Sequence, residues 1–179
     1  MEWGIEKLKV LDREIYLEDF LFDYRVVSTI EDLHSLKVNT LFRHVLVGGF
    51  ETDVVALCST DQGYDRWVGF ELKDSDILKA LNQALWRRRF FDYFYVVIDL
   101  SVCRIVDILL KKDNLRELIM KEGVGIISVS NASWNSYAVV VRAKYKKRAE
   151  IPVKTEYKEE DKAQLSLVNF VREINKRIE

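Results

Sequence analysis

Asp53, Glu71 and Lys73 are the residues whose types and spacing could do chemistry. Glu71 and Lys73 are one residue apart, so on a strand they share a face while Leu72 points the other way into apolar packing. A charged pair ending an otherwise apolar strand is expensive unless something uses it. If the strand carrying Asp53 pairs with the one carrying Glu71, two carboxylates and one ammonium come within a few ångströms of each other. Two like charges that close call for a divalent cation, and ligands that are all oxygen select magnesium or manganese. The plainer alternative makes Glu71 and Lys73 an ion pair at a strand edge and Asp53 a solvated acid near a turn.

The surrounding elements must position these groups. Residues 12–25 predict an amphipathic helix, with Leu17, Phe20, Leu21 and Tyr24 at helical spacing. Residues 41–47 and 51–58 are apolar and β-branched runs separated by Gly48-Gly49, a hairpin signal. A second turn around Gly63 leads into residues 66–73, which completes a three-stranded meander. Ser75 is placed to cap a helix running to about Phe91, with Ile77, Leu81, Ala84 and Leu85 as its apolar stripe. Residues 93–98 read as a buried strand, and a crossover helix of this length favours parallel pairing with the meander. Further on, residues 101–120 read as helical, 123–129 and 137–145 as strands, and 160–178 as a helix carrying Leu167, Val171, Ile174 and Ile178 on one face. The layout is α-βββ-α-β-α-ββ-α, an α/β mixed sheet flanked by helices.

Composition narrows the class. The chain has 179 residues, 49% of them hydrophobic, with seven glycines and one proline. At roughly 100–200 residues per domain this is one domain over residues 1–179, able to bury a core without disulfides or metal. Apolar runs fall short of the roughly 18 residues a membrane helix needs, and the opening residues show no signal-peptide pattern, so a cytoplasmic, soluble protein without a membrane partner is expected. Cys58 and Cys103 are far apart and read as thiols in a reducing compartment. With 28 basic and 29 acidic residues, nucleic-acid binding cannot be argued from total charge and needs a local patch.

The pieces F50-E-T-D-V-V-A-L57, V68-G-F-E-L-K73 and A80-L-N-Q-A-L85, in the order helix, meander, helix and parallel strand, resemble the PD-(D/E)XK nuclease superfamily over roughly residues 11–129. The resemblance implies a restriction-endonuclease-like fold with an α-βββ-α-β core. It implies that Asp53 and Glu71 bind magnesium or manganese, that the Leu72 carbonyl completes the metal's ligands, and that Lys73 acts on the attacking water. The family's proline before the aspartate is Thr52 here. RecB-like members and the archaeal junction or mismatch nucleases carry a glutamine and, four residues later, a tyrosine on the helix after the lysine. Gln83 matches and is a catalytic candidate, whereas the later position is Arg87. An additional metal-binding acid on the first helix falls on Glu14, followed by Leu17 and Leu21, with Glu18 as the other choice.

The implied function is a magnesium-dependent DNA endonuclease, with a catalytically silent nuclease fold that binds DNA or a partner protein as its rival. No Gly-rich phosphate loop supports a nucleotide-handling enzyme. Gln83 and Arg87, one helical turn apart, could face the metal site or the scissile phosphate. His34 and His44 read as structural. Basic residues cluster at Arg87-Arg88-Arg89 and again from Arg142 to Arg148. The stripe on the last helix, and the need for two active sites to cut both strands, point to a homodimer, the alternative being that the stripe covers the chain's own sheet. In the second basic cluster Arg142, Lys144 and Lys146 would share one strand face, so they could follow a phosphate backbone or simply protect a solvated edge. If they follow a backbone, replacing all three by Ala should weaken DNA binding across sequences and lower the salt slope by up to about three. A salt titration with an unchanged slope would remove them from the interface.

Overall fold

The computed structural model describes residues 23–129 and 137–149, together with Leu17 and Leu21. The first complete helix, α1 (Tyr24–His34), opens on Asp23, whose carboxylate accepts from the Arg25 backbone N–H at 2.9 Å. It closes on Ser35, which takes a left-handed φ of 52° and donates its N–H to the Glu31 carbonyl. The expected first helix and this one are distinct. Leu17 and Leu21 are helical and buried as the stripe predicts, but Tyr24 begins the next helix.

The meander forms as expected and starts earlier than the apolar run suggested. Strand β1 (Leu36–Val47) turns through Gly48-Gly49 into β2 (Phe50–Thr60), which turns through residues 61–64 into β3 (Asp65–Lys73), all antiparallel. Helix α2 (Ile77–Arg87) then crosses over to β4 (Tyr93–Ile98), which pairs parallel with β3. Its cap is Asp76 rather than Ser75, with the Asp76 carboxylate accepting from the Lys79 N–H at 3.0 Å. It stops at Arg87, and Arg88–Phe90 tighten into a 3-10 turn. The single helix expected over residues 101–120 is two, α3 (Val102–Lys111) and α4 (Asp113–Glu122), leading to β5 (Val124–Val129), again parallel to β4. The last described strand, β6 (Tyr137–Val141), is antiparallel to β5. It ends four residues before the expected Tyr145, because the next residues leave the ladder. Lys144, Lys146 and Ala149 instead donate their N–H groups to the carbonyls of Gly123, Asp92 and Arg89. The expected helix at 160–178, and with it the dimer stripe, lies outside the described residues.

The fold is therefore mixed α/β, a six-stranded mixed sheet in the order β1-β2-β3-β4-β5-β6 flanked by helices. One face packs Val54, Ala56, Phe70, Leu72 and Tyr95 against α1, Leu17 and Leu21. The other packs Val55, Phe94, Val96 and Ile126 against α2, α3 and α4. Among the described residues no helix is long and apolar enough to cross a membrane.

The α1 face depends on a polar thread. Tyr95 stands beside Gly125, where an added Cβ would lie 2.3 Å from its ring. The Tyr95 hydroxyl meets His34 Nε2 at 2.7 Å and accepts from the Ala143 N–H at 3.3 Å. Burial, reinforced by Arg142, pushes the His34 imidazole down from 6.5 to about 4. Two outcomes follow. Gly125→Ala should cost about 1–3 kcal/mol by overpacking, measured by urea unfolding. Between pH 6.5 and 4 the unfolded chain takes up a proton that folded His34 refuses, so its contribution to stability is lost as pH falls through that window. Melting temperatures across this range should drop less steeply in His34→Gln than in wild type.

Candidate functional site

Asp53, Glu71 and Lys73 all lie on the sheet face that packs against α2, since Val55 beside them belongs to that core and Leu72 to the other. The β2–β3 pairing runs from Ser59↔Asp65 to Val54↔Phe70, which sets Asp53 opposite Glu71 in the same register. Beyond that pair the ladder is continued by a side chain. The Leu72 N–H donates to Asp53 Oδ2 at 2.7 Å. The Leu72 carbonyl expected among the ligands belongs to the next peptide along, on the residue whose N–H Asp53 holds.

Glu71 is only 1% exposed. An ionised carboxylate that deep needs charge partners, and it has two. Lys73 Nζ stands 3.5 Å from its Oε1, and Arg87 forms an ion pair through its Oε2. Arg87 is the last residue of α2, where a cation also suits the helix dipole. Burial pushes its guanidinium below the usual range while Asp53 and Glu51 draw it back, and an arginine remains a cation at any working pH. Burial raises the Asp53 carboxyl, and the Leu72 N–H, Lys73, Arg87 and His44 each oppose that rise. His44 sits across from Asp53 on β1 with a φ of 51° and bonds Glu51 Oε1 through Nδ1 at 2.8 Å. Its positive φ lets Phe42 on one side and Val45 on the other reach the same core. The His44–Glu51 pair is a neighbour of the site that the sequence did not single out. Its only signal was a histidine and an acid flanking the Gly48-Gly49 turn.

Gln83 lies one turn before Arg87 on α2, and its Oε1 is buried with no hydrogen-bond partner among the described residues. An acceptor left so is rare and asks for a donor. The groups expected to hold a metal, the Asp53 and Glu71 carboxylates and the Leu72 carbonyl, offer oxygen only, the chemistry that would fit magnesium or manganese. Among the described residues no three His, Cys, Asp or Glu side chains converge, and Glu14 and Glu18 lie outside them. Comparison of the chain with protein-family models, with curated proteins and with solved structures gives no match in any of the three.

The basic run 87–89 does not form a surface patch. Arg87 turns to Glu71, while Arg88 is 1% exposed and donates to the carbonyls of Phe91, Asp92, Glu122 and Lys144. Arg89 lies over the Phe90 ring. Arg142, Lys144 and Lys146 are exposed but follow β6 rather than sitting on it. Arg142 donates to the Leu33 carbonyl and Lys146 pairs with Glu122. They line the end of the sheet where β4 and β5 begin, about 13 Å along β3 from Glu71 if Trp67 marks that end.

Because Asp53 supplies the acceptor for Leu72, Asp53→Ala should cost about 1–3 kcal/mol for the orphaned N–H. Asp53→Asn keeps an acceptor oxygen and removes a desolvated charge, so it should melt close to wild type. Thermal unfolding of the two variants side by side in EDTA checks the order.

Proposed function

We propose that the chain is a metal-dependent DNA endonuclease of the PD-(D/E)XK type, hydrolysing phosphodiester bonds from a restriction-endonuclease-like fold. The observation that carries this reading is the facing pair Asp53 and Glu71 on adjacent strands, with Lys73 on the same face. The order of meander, crossover helix and parallel strand adds support, since it brings α2 with Gln83 and Arg87 over those carboxylates.

Asp53, Glu71 and the Leu72 carbonyl would hold a magnesium or manganese ion. Bound there, the ion supplies Lewis acidity to the scissile phosphate and lowers the pKa of a coordinated water. Asp53, braced by the Leu72 N–H, keeps its carboxylate oriented without needing to reorganise. Lys73, a fifth exposed and tethered beside Glu71, orients the attacking water or balances the charge that develops on the phosphate oxygens. As an ammonium beside a carboxylate it is a poor base, so electrostatic stabilisation is its role. The Gln83 amide oxygen, buried without a partner among the described residues, would offer an acceptor to a water at the site. Lys144 and Lys146, beside the end of α4, would hold the backbone further along, within one turn of a duplex, while Arg142 is turned to the end of α1 on the other face.

A silent nuclease fold is the second reading, and the Arg87–Glu71 pair favours it, because a built-in cation neutralises the acid a metal would need. Activity separates the two. With magnesium or manganese, wild type should cut one member of a panel of single-stranded, branched and duplex DNAs, and EDTA should stop it. Lys73→Ala should lower cleavage by orders of magnitude while DNA affinity changes little. Wild type should also gain melting temperature on adding either metal, and Asp53→Asn should gain less. A wild type that cuts nothing and melts alike with and without metal leaves the silent reading standing.

A further inference from the structure

The charge arrangement around Glu71 poses a problem that the metal-dependent reading must answer. Glu71 is almost completely buried, with Arg87 on one carboxylate oxygen and Lys73 at 3.5 Å from the other. A divalent cation shared by Glu71 and Asp53 would arrive in contact with the guanidinium, and in a site this dry the repulsion between the two is strong. Either the cation is excluded or Arg87 leaves.

Arg87 is built to leave by itself. Its side chain retains 13% exposure, so a path to solvent is open. The backbone beyond it is fixed, because Arg88 is locked to four carbonyls from three separate stretches of chain. The departure is therefore a side-chain rotation and not a shift of α2. Asp53 and Glu51 attract the guanidinium, so it stays at the mouth of the site. A free guanidinium fork at that place matches the two oxygens of a phosphodiester.

Resting on the metal-hydrolase reading, we propose that Arg87 is an exchanging counter-ion: it neutralises Glu71 in the metal-free protein and passes to the substrate's phosphate when a divalent cation takes its place at Glu71. Metal and phosphodiester then help each other to bind, because each stabilises the same displaced Arg87. The device also keeps Glu71 paired with a cation in the metal-free protein, and so accounts for a site that carries both an acid pair and a cation of its own.

The test is Mn2+ binding to the full chain by calorimetry, without DNA and with a phosphorothioate-linked duplex that resists cleavage. Without DNA, Arg87→Gln should bind Mn2+ about tenfold tighter than wild type, the factor that about 1.4 kcal/mol carries, and its melting temperature should rise more on adding Mn2+. The duplex should tighten Mn2+ binding to wild type and do so much less in Arg87→Gln. Arg87→Lys, which keeps the charge but not the fork, should match wild type without DNA and lose most of the enhancement by DNA, and it carries the test if the glutamine variant folds poorly. Equal Mn2+ affinity in wild type and Arg87→Gln, or equal enhancement by DNA in wild type and Arg87→Lys, overturns the exchange while leaving the hydrolase reading intact. A wild type that binds no Mn2+ in either condition overturns both.

Discussion

The burial of one carboxylate organises the functional face of this protein. Glu71 lies near the end of β3, a strand with neighbours on both sides, on the face that α2 covers, where it is 1% exposed. Its charge must therefore be met from inside. Lys73 does so from the same strand and Arg87 from the helix laid across the sheet. The end of α2 is thereby tied to the sheet by an ion pair as well as by Ile77, Ala80, Leu81 and Ala84. Breaking such a pair from one side leaves an uncompensated charge, a cost of about 3–5 kcal/mol in buried settings.

Two cores share the sheet, and their division decides which residues face the site. The alternation of β3 sends Val68, Phe70 and Leu72 to α1 and leaves Glu71 and Lys73 toward α2. Arg88 plays the matching part at the other end of the sheet. It is a cation with no ion pair among the described residues, satisfied by carbonyls from the turn after α2, the end of α4 and the segment after β6. Asp92 is held close by, accepting from the Trp67 N–H at 2.8 Å and pairing with Arg148, whose guanidinium also covers the Trp67 ring. Polar groups thus fix both ends of the strands, while the middle of the sheet is apolar on both faces.

What could be read from the sequence, and what could not, follows from the range of the interactions. The meander and the two parallel strands were legible, because period-two alternation, β-branched runs and glycine turns are local signals. Helix α1 was missed. Its segment Y24-R-V-V-S-T-I-E-D-L-H34 mixes β-branched and polar residues, and it becomes helical by burying Val26, Val27 and Ile30 on the sheet and by capping on Asp23. Strand β6 was drawn too long because R142-A-K-Y145 alternates like a strand, whereas the Ala143 N–H goes to the Tyr95 hydroxyl and the Lys144 N–H to the Gly123 carbonyl instead of a ladder. The facing of Asp53 and Glu71 was legible from the turn between their strands. The role of Arg87 was not, since spacing placed it beside Gln83 without saying which face of the helix would meet the sheet.

The sequence by itself determined the elements around the candidate site, the side of β3 on which Glu71 and Lys73 emerge, and the pairing that sets Asp53 opposite. These depend on strand periodicity and on one short turn. Only the tertiary structure decided that the three adjacent arginines 87–89 part company, one to a buried acid, one into a cage of carbonyls and one to the surface. Neighbours along a chain that turns from helix into a 3-10 turn point in different directions. The environment each side chain reaches, and hence its charge partner, is set by strands far away in sequence that packing alone brings within reach.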